Sequence, residues 1–222
     1  MNQETTPRVF VLNHQPSVAN HFLAEIRDKN IQKDPFRFRT NLSRLGQILA
    51  YELSRYLHYE TRTLHTPLGT IDTPLLSHPP VLATILRAGL PLYEGFLSVF
   101  DRAESAFVGA YRSPLQEDNS FDIVQGYTVT PDLNNKVLVL IDPMLATGKS
   151  VHSVYESLLF YGQPAVLHLV SVIASAPGVA YVQKHLPQAH IWTGAIDPEL
   201  DQHSYIVPGL GDAGDLAFGN KE

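Results

Sequence analysis

The stretch Asp142-Pro143-Met144-Leu145-Ala146-Thr147-Gly148-Lys149-Ser150 concentrates more potential chemistry than any other part of the 222-residue sequence. It follows the apolar run Lys136 to Ile141 and precedes residues spaced as a helix, so it reads as strand, acid, small-residue turn, helix start. A turn of small residues exposes successive backbone N–H groups, and the helix N-terminus behind them adds positive potential. Together these cradle a phosphate. Thr147 and Ser150 bring two hydroxyls to the same place, and Asp142 at the strand end is positioned to accept hydrogen bonds from sugar hydroxyls. The competing reading is an ordinary strand-to-helix turn capped by Thr147 or Ser150. The apolar strand and the acid ahead of the turn weigh toward phosphate. Gly148-Lys149-Ser150 also imitates the end of a nucleoside-triphosphate loop, but that motif needs a glycine where Pro143 stands, which excludes an NTPase of that type.

Two further segments carry chemistry. Ile85-Leu86-Arg87-Ala88-Gly89-Leu90 sets an arginine and two small residues after a strand, offering a guanidinium fork and backbone amides to a diphosphate. Taken alone it reads better as a surface arginine beside a tight turn, and Arg112, after Ala110-Tyr111, has the same ambiguity. Tyr205 to Asp215 holds three glycines, Gly209, Gly211 and Gly214, which let backbone approach a planar heterocycle closely. A flexible glycine-rich turn is the plainer alternative, although Ile206 and Pro208 stiffen the stretch. A calcium loop does not fit, because Gly214 takes a ligand position and the closing glutamate would fall beyond the last residue. The ten histidines show no metal-ligand spacing; His152 and His168 are expected to pack or to be solvated, and Trp192 to sit in the core.

The elements that position these segments follow from periodicity. A short apolar segment, Val9 to Leu12, precedes a helix ending near Asp28. A second helix spans about Pro35 to Leu57, with Phe38, Leu42, Leu45, Leu49, Leu53 and Tyr56 on one stripe, Pro35 in its first turn and Asp34 as cap. Thr66 to Pro80, with four prolines and a glycine, reads as loop or irregular strand. Strands are expected at Val81 to Leu86, Ala106 to Tyr111, Lys136 to Ile141, Val166 to Ala174 and His190 to Ile196, with a hairpin arm over Phe121 to Thr130. Helices fall at Pro91 to Phe100, Val151 to Leu159 with Gly162 as C-cap, and Gly178 to Leu186. Short apolar strands alternating with helices indicate an α/β fold, a mostly parallel sheet covered on both faces, with ligands at the carboxyl ends of its strands.

Composition narrows the function further. The length suits a single domain over residues 1–222. The absence of cysteine excludes disulfides, thiolate metal sites and a cysteine nucleophile, and suits the cytoplasm. Sixteen basic against 22 acidic residues give a net charge of −6, which repels polyanions and opposes a nucleic-acid or anionic-membrane surface. The N-terminus lacks a signal-peptide core, and no apolar run approaches the roughly 20 residues of a membrane helix.

The three chemical segments together resemble the uracil phosphoribosyltransferase family. The matching words are Ile85 to Leu90, Asp142 to Gly148, and Tyr205 to Asp215 followed by Phe218-Gly219; weaker similarity runs from Ile26-Arg27-Asp28-Lys29 through Ala50-Tyr51-Glu52 over nearly the whole chain. Asp142-Pro143, where most phosphoribosyltransferases carry two adjacent acids, is typical of the uracil branch. The resemblance implies a type I phosphoribosyltransferase-like fold with a small hood formed by N- and C-terminal segments. It also implies transfer of the 5-phosphoribosyl group from 5-phosphoribosyl 1-diphosphate to uracil N1. By that resemblance Asp142, Pro143, Met144, Leu145, Ala146, Thr147, Gly148, Lys149 and Ser150 hold the ribose and 5-phosphate, while Arg87 and Arg112 meet the diphosphate. Ile206, Gly211, Asp212 and Ala213 frame uracil, with Asp212 also facing the donor. Asp142, Arg87 and Arg112 carry the catalysis. Mg2+ is expected on the diphosphate without direct protein ligands, and the assembly is expected to be a homodimer or larger.

Four positions depart from the family pattern: Lys149 replaces a usual glycine and would be strained if that residue needs φ > 0, Ser113 replaces an aspartate or asparagine, Leu216 a basic residue, and Ser175-Ala176-Pro177-Gly178 lacks a glutamate. Lys149 and Leu216 leave open a catalytically weak relative that binds 5-phosphoribosyl 1-diphosphate or UMP as a sensor. An RNA-binding regulator on the same fold is opposed by Asp142-Pro143 and by the net charge.

Overall fold

The computed structural model describes residues 8–112 and 123–220, with backbone alone for 110–112 and 123–125. Alternation of apolar residues along each strand splits the interior into two cores. Leu82, Val139, Ile141, Val170, Val172 and Trp192 point to one face of the sheet; Val81, Ala83, Leu138, Leu140, Leu167, Leu169 and Ile191 point to the other. A sheet buried on both faces is the arrangement that near-continuous Val/Leu/Ile runs require.

The strands are β1 (Val9–Val11), β4 (Val81–Leu86), β5 (Glu104–Arg112), β6 (Ile123–Val129), β7 (Val137–Ile141), β8 (Met144–Leu145), β9 (Val166–Ser175) and β10 (His190–Asp197). They form one sheet in the order β1-β10-β9-β7-β4-β5-β6, with the short β8 beside β9. Every pairing is parallel except β5 with β6, whose register shifts between Gly109 and Ala110. Between them lie the helices α1 (Ala19–Arg27), α2 (Pro35–Ser54), α3 (Leu90–Val99), α4 (Lys149–Leu158) and α5 (Ala176–His185), and α6 (Ala213–Phe218) follows the last strand. The first three cover one face and α4 and α5 the other. The connection from β4 through α3 leads outward to β5, whereas that from β7 through α4 leads the opposite way to β9. The crevice between β4 and β7 is therefore the point where strand order reverses, the place where α/β sheets bind ligands.

Helix α2 forms where the apolar spacing places it. Asp34 accepts hydrogen bonds from the Phe36 and Arg37 amides at 3.0 and 3.2 Å, Pro35 opens the helix, and Phe38, Leu42, Leu45, Leu49 and Leu53 are buried. Its crossing with α3 is unusually close. A methyl group at Gly95 would stand 2.1 Å from the Ser43 carbonyl oxygen, and one at Gly46 would stand 2.4 Å from that of Leu92.

Trp192 and His168 are buried as expected, and the indole N–H donates to His168 Nδ1 at 3.0 Å. Burial and, secondarily, the neighbouring His190 push the His168 pKa down to about 3, so the ring stays neutral with its proton on Nε2. It is a core polar pair, not a metal ligand.

The structure corrects the reading of Thr66 to Pro80. Instead of a loop or a short irregular strand there is a regular antiparallel ribbon, β2 (Tyr59–Thr66) with β3 (Gly69–Leu76), paired from Tyr59 with Leu76 to Thr66 with Gly69. All eight residues of β2 are exposed, so the ribbon lacks the half-buried alternation that marks a strand in sequence, and Pro74 sits on a two-stranded edge where its missing N–H is tolerated. Gly162 ends a short 3-10 turn, Leu159–Tyr161, that prolongs α4, rather than capping α4 itself.

The N-terminal helices are tied to the C-terminal segment by side-chain bonds, while β1 extends the main sheet. Arg27 forks Asp197 at 2.7 and 2.8 Å and also donates to the Gly209 carbonyl; the Gly209 amide returns a bond to Asp197 at 2.8 Å. Arg39 donates to the Ala217 carbonyl at 2.6 Å.

Candidate active site

Asp142 stands at the carboxyl end of β7, its amide bonded to the Val170 carbonyl at 3.0 Å and its carboxylate accepting the Met144 amide at 3.3 Å. The chain beyond it is held at every step. The Pro143 carbonyl accepts the Val172 and Ile173 amides, β8 pairs with β9, and the Ser175 hydroxyl donates to the Ala146 carbonyl at 2.6 Å. Ser175 is fully buried and simultaneously caps α5 by accepting the Gly178 amide at 2.9 Å, so the segment that lacks the usual glutamate is a clamp on the loop.

The loop turns into α4 at Gly148, whose φ of 77° is left-handed. A side chain there would also come within 2.9 Å of Tyr181 and 3.1 Å of the Gly178 carbonyl. The position that needs positive φ is thus Gly148, and Lys149 begins α4 in helical conformation with its side chain exposed. The expected strain at Lys149 is absent for that reason. Gly148 supplies no capping side chain, so the amides of Ser150 and Val151 keep the outward direction that every helix N-terminus gives them, while the Lys149 amide reaches the Thr147 hydroxyl at 3.3 Å.

Across the crevice, Arg87 follows β4 through a cis Leu86–Arg87 peptide. Its guanidinium donates to the Gly219 carbonyl at 2.9 Å and to the Asp215 carboxylate at 3.3 Å, tying the arginine to the end of α6. Asp212 caps α6 by accepting the Gly214 and Asp215 amides at 2.8 and 3.0 Å.

These parts line one cleft of about 740 Å3. Of the residues singled out in sequence, Arg87, Asp142, Met144, Leu145, Ala146, Thr147, Gly148, Ser150, Gly211, Asp212 and Ala213 face it. Pro143 is buried beneath the loop and Lys149 points to solvent. Ile206 is buried in a short strand, β12 (Ile206–Val207), that pairs with β11 (Glu199–Leu200); its side chain packs in the core and supports the glycine-rich stretch from below. The Arg112 backbone ends β5, but its side chain and Ser113 lie outside the described residues.

Other residues contribute that the sequence did not mark as site residues. Gly126 and Tyr127 on β6 wall the cleft, as do Ser204 and Tyr205. Asp197, through Arg27 and Gly209, holds the glycine-rich stretch in place. Asp197-Pro198 repeats at the end of β10 the Asp-Pro pair that ends β7 at Asp142-Pro143, a signal visible in the sequence. Chemically, the cleft offers an anion site at the α4 N-terminus, a second at Arg87, carboxylates between them and backbone edges at residues 211–213. It suits an elongated molecule with phosphate at both ends of a sugar, beside a flat polar ring. Among the described residues no group of three or more His, Asp or Glu could hold a metal ion.

Comparison with known proteins agrees with this geometry. A family model described as uracil phosphoribosyltransferase matches residues 12–220. The chain is 49% identical to uracil phosphoribosyltransferase of Porphyromonas gingivalis over 96% of this chain and 99% of that protein. It is 36% identical to the protein of the same name from Alkaliphilus metalliredigens, again over 96% and 99%. The structure of AQ2163 protein from Aquifex aeolicus superimposes with a TM-score of 0.84 at 28% identity, covering 95% of this chain and 98% of that one. Mycobacterium tuberculosis orotate phosphoribosyltransferase in complex with inorganic phosphate, at 10% identity, shares the fold with a TM-score of 0.50 over 83% and 91% of the two chains.

Proposed function

The chain belongs to the uracil phosphoribosyltransferase family, and on that premise we propose that its cleft transfers the 5-phosphoribosyl group from 5-phosphoribosyl 1-diphosphate to N1 of uracil, giving UMP and diphosphate. One observation carries the residue assignment. The ends of β4 and β7, where strand order reverses, bring Arg87, the 142–150 loop and residues 211–213 into one cleft.

In this reading the amides of the α4 first turn, with the Thr147 and Ser150 hydroxyls, hold the 5-phosphate, and Asp142 accepts hydrogen bonds from the ribose hydroxyls. Arg87 binds the diphosphate, joined by Arg112. The bond from the sugar carbon to diphosphate breaks with its electron pair leaving on oxygen, the uracil N1 bond forms, and the N1 proton is released. Positive charge develops on the sugar carbon, so the protein contributes alignment and neutralisation of the leaving group. Uracil is read edge-on by the backbone of Gly211 to Ala213, where a base with the wrong donor pattern leaves buried groups unpaired.

We take Mg2+ as a passenger on the diphosphate: the cleft wall holds the carboxylates of Asp142 and Asp212, and among the described residues no group of three or more His, Asp or Glu could hold the ion directly; its contribution there would be added neutralisation of the leaving group. We further place the protein in the cytoplasm, supported by the lack of cysteine; no helix among the described residues is long and apolar enough to cross a membrane. A homo-oligomer is supported by the β2–β3 ribbon, because a solvated two-stranded ribbon is marginal alone and Leu64, Leu68 and Ile71 are exposed on it.

The test is turnover of labelled uracil with 5-phosphoribosyl 1-diphosphate and magnesium. UMP accumulates in proportion to enzyme; donor binding without any UMP would show instead a binding protein on the same fold.

A further inference from the structure

Behind the phosphate loop lies an aromatic cluster that the proposed reaction does not use. Tyr181 on α5 is half-buried, with its ring against the space where Gly148 lacks a side chain; a Cβ there would be 2.9 Å from Tyr181 Cδ1. The Tyr181 hydroxyl is 3.1 Å from Nδ1 of His152, in the first turn of α4. The other ring nitrogen of His152 faces the Glu156 carboxylate at 3.5 Å. A proton on Nε2 then points to Glu156 and leaves Nδ1 to accept the tyrosine O–H. One turn along α5, His185 stacks on the Tyr181 ring, with centroids 4.2 Å apart and planes 26° from parallel, which holds one face of the ring.

Tyr181 therefore stands against the end of the phosphate loop at Gly148 and against the first turn of α4 at His152, and the His152 amide closes that turn onto the Gly148 carbonyl at 3.1 Å. Between those points lie Lys149, Ser150 and Val151, whose amides head α4. Helix-terminal amides hold a phosphate well only if their direction is set beforehand, since an error of about 1 Å in a binding group costs on the order of a hundredfold. A ring with two torsions, stacked on one side and hydrogen-bonded at its tip, sets such a direction with little entropy left to lose.

We propose that Tyr181, held by His152 and His185, is a positioning residue that aims the α4 amides at the 5-phosphate of the donor. The inference rests on the reading that these amides hold that phosphate. A residue that merely packed α5 on α4 would affect stability without discriminating between the two substrates.

The experiment is calorimetric titration of 5-phosphoribosyl 1-diphosphate into the wild type, Tyr181→Phe and Tyr181→Leu, alongside the KM for uracil at saturating donor. Phenylalanine keeps the wall at Gly148 and loses the bond to His152, so donor affinity falls about threefold. Leucine loses both the planar wall and the bond, and affinity falls roughly tenfold or more. The uracil KM stays within about twofold in each. Wild-type donor affinity in a Tyr181→Leu protein with native circular dichroism overturns the proposal, as does an equal loss for donor and uracil. Should the leucine variant not fold, an unchanged affinity in Tyr181→Phe overturns it alone. No donor binding by the wild type would defeat the phosphate-site reading itself, and the positioning role with it.

Discussion

Replacing Asp142 by asparagine lowers kcat by roughly a hundred- to a thousandfold, the scale of removing one preorganised electrostatic partner from a transition state. The substitution preserves shape. The Oδ1 that accepts the Met144 amide remains, and that bond is long at 3.3 Å, so the turn keeps its form. What disappears is the negative charge at the end of β7, beside a sugar carbon that becomes cationic as diphosphate departs. Because that charge matters most in the transition state, kcat falls more than the KM for either substrate rises. Steady-state kinetics on Asp142→Asn checks this, and a wild-type rate in the soluble variant would remove Asp142 from the mechanism.

The Arg87→Ala variant is expected to lose about a hundredfold or more in kcat/KM for 5-phosphoribosyl 1-diphosphate, with Arg87→Lys between it and the wild type. Lysine supplies the charge but not the planar fork that engages two phosphate oxygens together. In the structure Arg87 is bonded to the Gly219 carbonyl and the Asp215 carboxylate, so its guanidinium must be shared or exchanged when diphosphate arrives. The ion pair is well exposed, 43% at Arg87 and 32% at Asp215. Such pairs contribute about 0–1 kcal/mol to stability, so the melting temperature should barely move while the kinetics collapse. Equal losses in melting temperature and activity would mean that Arg87 serves chiefly to anchor α6.

Much of this was legible in the sequence, for reasons that differ by element. Helix α2 announced itself because five leucines and phenylalanines at helical spacing had to share one buried face. The 142–150 loop was legible because a parallel strand, an acid and a small-residue turn follow one another without interruption. The β2–β3 ribbon was not, because β2 is exposed along its whole length and β3 is half-buried only toward its far end, so neither carries a core-facing alternation to read. The expected strain at Lys149 misplaced the left-handed residue by one position; only the backbone shows that Gly148 takes it. The strand that Ile206 forms turns its side chain into the core, a placement its position in the motif does not reveal, and leaves its backbone as the part that can face a base. The Arg27–Asp197–Gly209 link joins residues far apart in sequence, and no local pattern pairs them.

The central claim is that the amides between Gly148 and Val151 grip the terminal phosphate of the sugar. A crystal structure with UMP bound tests it most directly. The account predicts the phosphate at the head of α4, within hydrogen-bond reach of the Ser150 amide and the Thr147 hydroxyl, with the ribose hydroxyls on Asp142. Phosphate density at Arg87 instead, with the head of α4 facing only solvent, would contradict it.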